Sequence, residues 1–109
     1  MKLDTKALTV EWAPFEAAEH VSDEQVIEAA NAIETDFLQQ QEGYVRRELL
    51  KGEGKQWVDL IYWLTPQYAA KAAESVGECQ ACMKYFSIMV EVDNAGEPIS
   101  HYSRVKSWN

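Results

Sequence analysis

The sequence predicts a single α+β domain, four strands and two helices in the order βαββαβ, with one antiparallel sheet and both helices on one of its faces. Three observations carry that expectation. Runs that alternate with period two flank runs of helical spacing, Ser22 and Thr65 stand where helix caps belong, and "GEG" separates the two central strand-like runs. The chain of 109 residues fits one domain, spanning residues 1–109. Its 47% apolar and 11% aromatic content suits one core without disulfides or metals.

The first strand is "ALTVEWAP", where Leu8, Val10 and Trp12 alternate with Thr9 and Glu11. After a loop through "FEAAEHV", Ser22 opens a helix with Gln25 at the capping-box position and two acids in the first turn, where the helix dipole favours them. Val26, Ala30, Ile33 and Phe37 repeat at helical spacing, and Gly43 is the expected stop. Two strands follow around "GEG". Thr65 then caps a second helix with Pro66 at its first position and a small-residue face of Ala69, Ala72, Ala73 and Val76. Gly77 breaks or kinks it before a piece carrying Cys82 and Phe86. "IMVEV" fits either the end of that helix or a short strand, "DNAGEP" is a loop, and "ISHYSRVKSW" alternates as a last strand. Together these elements give the ferredoxin-like order.

Charge and hydropathy exclude several classes. The net charge of −8, from 18 acids against 10 bases, repels a phosphate backbone, and only "VRRE" places two bases together, so no nucleic-acid partner is expected. No apolar run approaches the roughly 18 residues of a membrane span, and "MKLDTKAL" lacks the apolar core of a signal peptide. The expectation is a soluble cytoplasmic protein with no membrane partner.

A two-residue turn over Glu53 and Gly54 would pair Gly52 with Lys55. Asp59 then faces Glu48, Ile61 faces Arg46 and Trp63 faces Tyr44. One sheet face collects Val45, Leu49, Val58, Leu60, Tyr62 and Leu64, with Arg47 intruding, and suits packing under the helices. The other carries Tyr44, Arg46, Glu48, Leu50, Trp57, Asp59, Ile61 and Trp63. So apolar a face calls for a cover, and the same face of a second subunit supplies it, closing a dimeric barrel around a cavity suited to a flat ligand.

"EGYVRRELLKGEGKQWVDLIYWLTPQYAAKAA", with "ACMKYFSIM" and "SHYSRVKSW", resembles the dimeric α+β barrel proteins of the antibiotic biosynthesis monooxygenase superfamily, over roughly residues 6 to 108. The resemblance implies a homodimer that oxidises small hydroxylated aromatics with molecular oxygen and without flavin, metal or haem. It also implies a cavity-facing tryptophan on the third strand, at Trp63, with an asparagine four residues earlier. Here that earlier position is Asp59, a carboxylate with different hydrogen-bonding capacity. Tyr68 is similar to a tyrosine that some members place at the cavity mouth. The haem-degrading branch uses a histidine in the second helix, and residues 66–87 contain none.

Oxygenation without a cofactor needs a base that turns the substrate into an electron-rich anion. Asp59 and Trp63 are accordingly the candidate catalytic residues, the acid as base or anchor. Tyr44, Arg46, Glu48, Trp57, Ile61 and Tyr68 are the candidate ligand-binding residues, with Trp57 and Trp63 as stacking walls and Arg46 as anion stabiliser. The plainer alternative is an ion cluster of Arg46, Glu48 and Asp59 lining the subunit interface of a non-catalytic dimer that binds a small ligand or serves as structure. His101 reads as a core histidine and His20 as a surface one. Cys79 and Cys82 form "CQAC", but they lie within helical spacing beside Tyr85, Phe86 and Met89. They therefore read as packing residues ahead of a redox pair, and with only two histidines available no metal site is expected.

Overall fold

The computed structural model describes residues 7–90 and 99–108. Strand β1 (Thr9–Glu16) leads into helix α1 (Asp23–Asp36), followed by the hairpin β2 (Tyr44–Lys51) and β3 (Gln56–Trp63). Two helices, α2 (Pro66–Ser75) and α3 (Gln80–Ser87), precede the short strand β4 (Ser100–Ser103). The four strands form one antiparallel sheet in the order β2-β3-β1-β4, the ferredoxin-like arrangement. Among the described residues no helix is long and apolar enough to cross a membrane.

The expected caps are in place. Ser22 Oγ accepts the Gln25 amide at 3.2 Å while Gln25 Oε1 accepts the Ser22 amide at 2.8 Å, so two otherwise orphaned donors are satisfied. Thr65 Oγ1 accepts the Tyr68 amide at 3.3 Å ahead of Pro66. Helix α1 ends sooner than Gly43. Phe37 and Leu38 are both buried, and a 3₁₀ turn over Leu38–Gln40 takes the chain on from the helix end. The second helical region divides at the 3₁₀ turn Val76–Glu78, so Cys79 precedes α3 instead of lying inside a continuous helix. Phe15 and Glu16 extend β1 into the expected loop. Ile88 of "IMVEV" caps the end of α3, Met89 makes an isolated bridge to Ala17 and the Val90 amide donates to Glu16 O at 2.7 Å, while residues 91 and 92 and the "DNAGEP" loop lie outside the described residues.

The hairpin differs from expectation, and the difference inverts the sheet. Its turn runs over Gly54 and Lys55, closed by the Gln56 amide donating to Glu53 O at 3.0 Å. Gly54 takes φ +60°, the first central position at which this kind of turn favours glycine. The Gly52 amide donates to Gln56 O at 2.7 Å, so Gly52 and Glu53 lie against the single residue Gln56. Leu49 therefore pairs with Asp59 and Arg47 with Ile61. A second irregularity between Tyr44 and Arg46 restores the Tyr44–Trp63 pair.

The face that packs under the helices is the one holding Trp57, Asp59, Ile61 and Trp63, all buried, joined by Tyr44, Arg47 and Leu49. Small residues on the helices, Ala29, Ala30, Ala69 and Ala72, leave depth for the large rings. Val10, Trp12, Leu50, Val58, Leu60 and Tyr62 alternate onto the face away from the helices.

Gly43, at φ +84°, sits against the Tyr68 ring, and a Cβ there would lie 2.2 Å from Tyr68 Cγ. Gly43→Ala is therefore expected to cost about 2–4 kcal/mol in urea unfolding, from backbone strain and overpacking together. Gly77 has open space and no positive φ, so Gly77→Ala should change stability by less than about 0.5 kcal/mol.

Candidate functional site

Under the helices Asp59 meets Arg47 in a two-point pair. Arg47 Nε donates to Oδ1 at 2.6 Å and Nη2 to Oδ2 at 3.0 Å, and the two side chains are only 7% and 6% exposed. Tyr85 on α3 donates its hydroxyl to Oδ2 at 2.6 Å, so the carboxylate accepts three hydrogen bonds. Arg47 Nη1 donates to the Ala30 carbonyl on α1 at 2.9 Å and approaches Glu34 Oε1 at 3.4 Å. Burial works against the Arg47 charge, but the Asp59 hydrogen bonds and charge outweigh it and the guanidinium pKa is raised. Burial, then the Asp59 charge, raises the Tyr85 phenol, which remains an O–H donor.

Beside this pair lies a cavity of about 220 Å³ between the sheet and the helices. Glu11, Phe15, Asp59, Ile61, Trp63 and Ala72 are among its lining residues. That exceeds the roughly 150 Å³ apolar cavity that holds a benzene, so one or two fused rings fit. Trp63 presents its ring here and donates Nε1–H to Glu11 Oε1 at 2.9 Å. His101 Nε2, on the neighbouring strand, stands 3.7 Å from the same oxygen. Burial raises the Glu11 pKa above the ordinary carboxylate value, partly opposed by the Trp63 hydrogen bond and the His101 charge.

Of the residues singled out from sequence, Asp59, Ile61 and Trp63 come together at the cavity. Tyr44 braces it from behind: its ring meets Trp63 edge-on at 5.9 Å and its hydroxyl donates to both Glu34 oxygens at 2.8 Å. Burial, then Glu34, raises the Tyr44 phenol pKa. Trp57 does not line the cavity. It stacks on Phe15 in a separate apolar cluster with Ala17, Val21 and Val26. Tyr68 packs on Gly43, also away from the cavity lining. Arg46 and Glu48 lie on the opposite face, paired with each other at 3.3 Å in solvent, and neither reaches Asp59. The shifted turn is the reason, because it moves Arg47 to the face where Arg46 was expected. His101 is partly exposed, not a core histidine.

Sequence reasoning missed Glu11, Arg47 and Tyr85 as site residues. Glu11 reads locally as the polar partner in an alternating strand, and nothing near it announces Trp63, 52 residues away. Among the described residues no group of three or more His, Cys, Asp or Glu side chains could hold a metal ion.

The fold is shared with solved structures of low sequence identity. SnoaB, a cofactor-independent oxygenase from Streptomyces nogalater, is 14% identical over 96% of this chain and 97% of its own, with a TM-score of 0.63. A heme-degrading protein from Mycobacterium tuberculosis is 11% identical over 96% and 99%, with a TM-score of 0.60. A presumptive antibiotic biosynthesis monooxygenase from Nitrosomonas europaea is 12% identical over 95% and 96%, with a TM-score of 0.59. The chain thus has the fold of the antibiotic biosynthesis monooxygenase-like proteins. No family model and no curated protein matches the sequence.

Asp59→Asn keeps the shape of the buried pair but strands the Arg47 charge. It should lose about 3–5 kcal/mol in urea unfolding, whereas Arg47→Met combined with Asp59→Leu should recover most of the loss.

Proposed function

We propose that the protein is a cofactor-independent monooxygenase acting on a small, flat, hydroxylated aromatic. The observation that carries this reading is Glu11, a carboxylate of raised pKa in a largely apolar, ring-sized cavity, hydrogen-bonded to Trp63. Glu11 takes the role of base, because Asp59 is held by three donors and serves as the anchor that keeps Arg47 and Tyr85 in place. Trp63 is the wall on which the ring stacks.

In the proposed reaction Glu11 removes an acidic proton from an anthrone-like or hydroquinone-like substrate. The resulting anion passes one electron to oxygen, the substrate radical and superoxide join as a peroxide anion, and that anion takes the proton back from Glu11 to give a hydroperoxide. For an anthrone, loss of water then leaves a quinone, with one oxygen atom in the product and the other in water. The fold shared with SnoaB, a cofactor-independent oxygenase, supports this reading. A non-catalytic ligand-binding protein is the second reading, favoured by the engagement of Asp59 with Arg47 and Tyr85, which leaves few polar groups free to do chemistry in the cavity.

Oxygen consumption with a panel of anthrones and hydroquinones separates the two. Turnover should rise with pH as Glu11 ionises, above the ordinary carboxylate range, and Glu11→Gln should lower kcat by about 10²–10⁴-fold. Quenching of tryptophan fluorescence by the same compounds, with no oxygen consumed, would establish binding alone.

The proposed assembly is a homodimer closed through the sheet face away from the helices, where Trp12 is 38% and Leu50 41% exposed beside Val58, Leu60 and Tyr62. Sedimentation should give twice the chain mass. Leu60→Asp, on the face opposite the cavity, should give a monomer with unchanged thermal folding cooperativity.

A further inference from the structure

Of the "CQAC" pair, Cys79 is the thiol that solvent reaches. Cys79 is not inside a helix. Its backbone is extended, at φ −109° and ψ 118°, and it is the N-cap of α3, with its Sγ accepting the Cys82 amide at 3.3 Å. That contact turns the Cys79 side chain back over the first turn, toward the residue with which a bridge would form. The two thiols also differ in access. Cys79 is partly exposed, whereas Cys82 is 0% exposed in the core beside Ala72 and Tyr85.

A cap alone does not account for the choice of cysteine at position 79. Sulfur is a weak acceptor, and the ordinary N-cap side chains offer oxygen, as Ser22 and Thr65 do on the other helices of this chain. A partly exposed thiol at a helix N-terminus with a buried thiol three residues on is the arrangement that divides attack from resolution in dithiol exchange.

We infer that Cys79 and Cys82 form a dithiol site that exchanges with small disulfides, of which oxidised glutathione is the test case, and closes to an intramolecular disulfide. Cys79, as thiolate, attacks one sulfur of the small disulfide, forming a mixed disulfide and releasing the first thiolate. The Cys82 sulfur then attacks Cys79 Sγ. The mixed bond breaks, and the second small thiol departs with the proton that Cys82 gives up. Two protein thiols are oxidised and one small disulfide is reduced to two thiols. Burial, then contact with Cys79, pushes the Cys82 thiol up to about 12, so Cys79 is the thiol of the pair that attacks first. This inference is independent of the oxygenase reading.

The test incubates the reduced, folded protein with excess oxidised glutathione under nitrogen, quenches with acid, and reads intact mass and the Cys79–Cys82 peptide. The expected product is a monomer lighter by two hydrogens, with the bridge mapped to that peptide and reversed by dithiothreitol. Cys82→Ala should accumulate one glutathione on Cys79. Cys79→Ser, which keeps an oxygen cap, should take up none while folded. Two outcomes overturn the proposal: wild-type protein that keeps both thiols alkylatable, or oxidation that yields only disulfide-linked chains. The wild-type mass decides the matter even if a variant does not fold.

Discussion

Arg47 and Asp59 pair as largely buried opposite charges, and the register of the central hairpin answers to them. A carboxylate on the helix-covered face of β3 costs several kcal/mol unless a counter-charge meets it there. The turn over Gly54 and Lys55 supplies that partner by setting Arg47 on the same face as Asp59. The pair then recruits both layers of the fold: Arg47 reaches the Ala30 carbonyl and Glu34 on α1, and Tyr85 of α3 reaches Asp59. Strand pairing and helix docking are in this way settled by one group of hydrogen bonds.

Around that pair, residue size decides where space remains. Alanines on α1 and α2 lie over the rings of the sheet, and a volume persists beside Trp63 that none of them fills. Close packing elsewhere makes such a space informative, since interiors seldom leave voids beyond a water in size. Glu11 borders it from β1 and is tied to Trp63 on the adjoining strand, so a carboxylate and an indole ring are fixed relative to one another by neighbouring backbones. Strands place such groups more rigidly than loops do.

Much of this architecture was legible in the sequence because it is written locally. The capping box at Ser22 and Gln25 and Thr65 before Pro66 each depend on a few adjacent residues and place the starts of α1 and α2 correctly, and Gly77 marks the break that follows α2. The face of the sheet was not legible. Segregation of Val58, Leu60 and Tyr62 from Trp57, Asp59 and Trp63 is plain in the alternation, but which set goes under the helices depends on Arg47 meeting Asp59 twelve residues away. A turn displaced by one residue was enough to exchange Arg46 for Arg47. The start of α3 after Cys79 was hidden for a related reason, because helical spacing continues across the 3₁₀ turn that separates α2 from α3.

Strand β2 is an edge of the sheet, and edges present unpaired backbone groups that invite another chain to add a strand. The irregularity between Tyr44 and Arg46 interrupts the even spacing an incoming strand would need, and Arg46, Glu48 and Lys51 stand exposed along the same segment. The extra residue at Val45 thus has an effect apart from register: it makes the edge a poor template for aggregation. Edge-to-edge addition of a second copy is disfavoured at this strand.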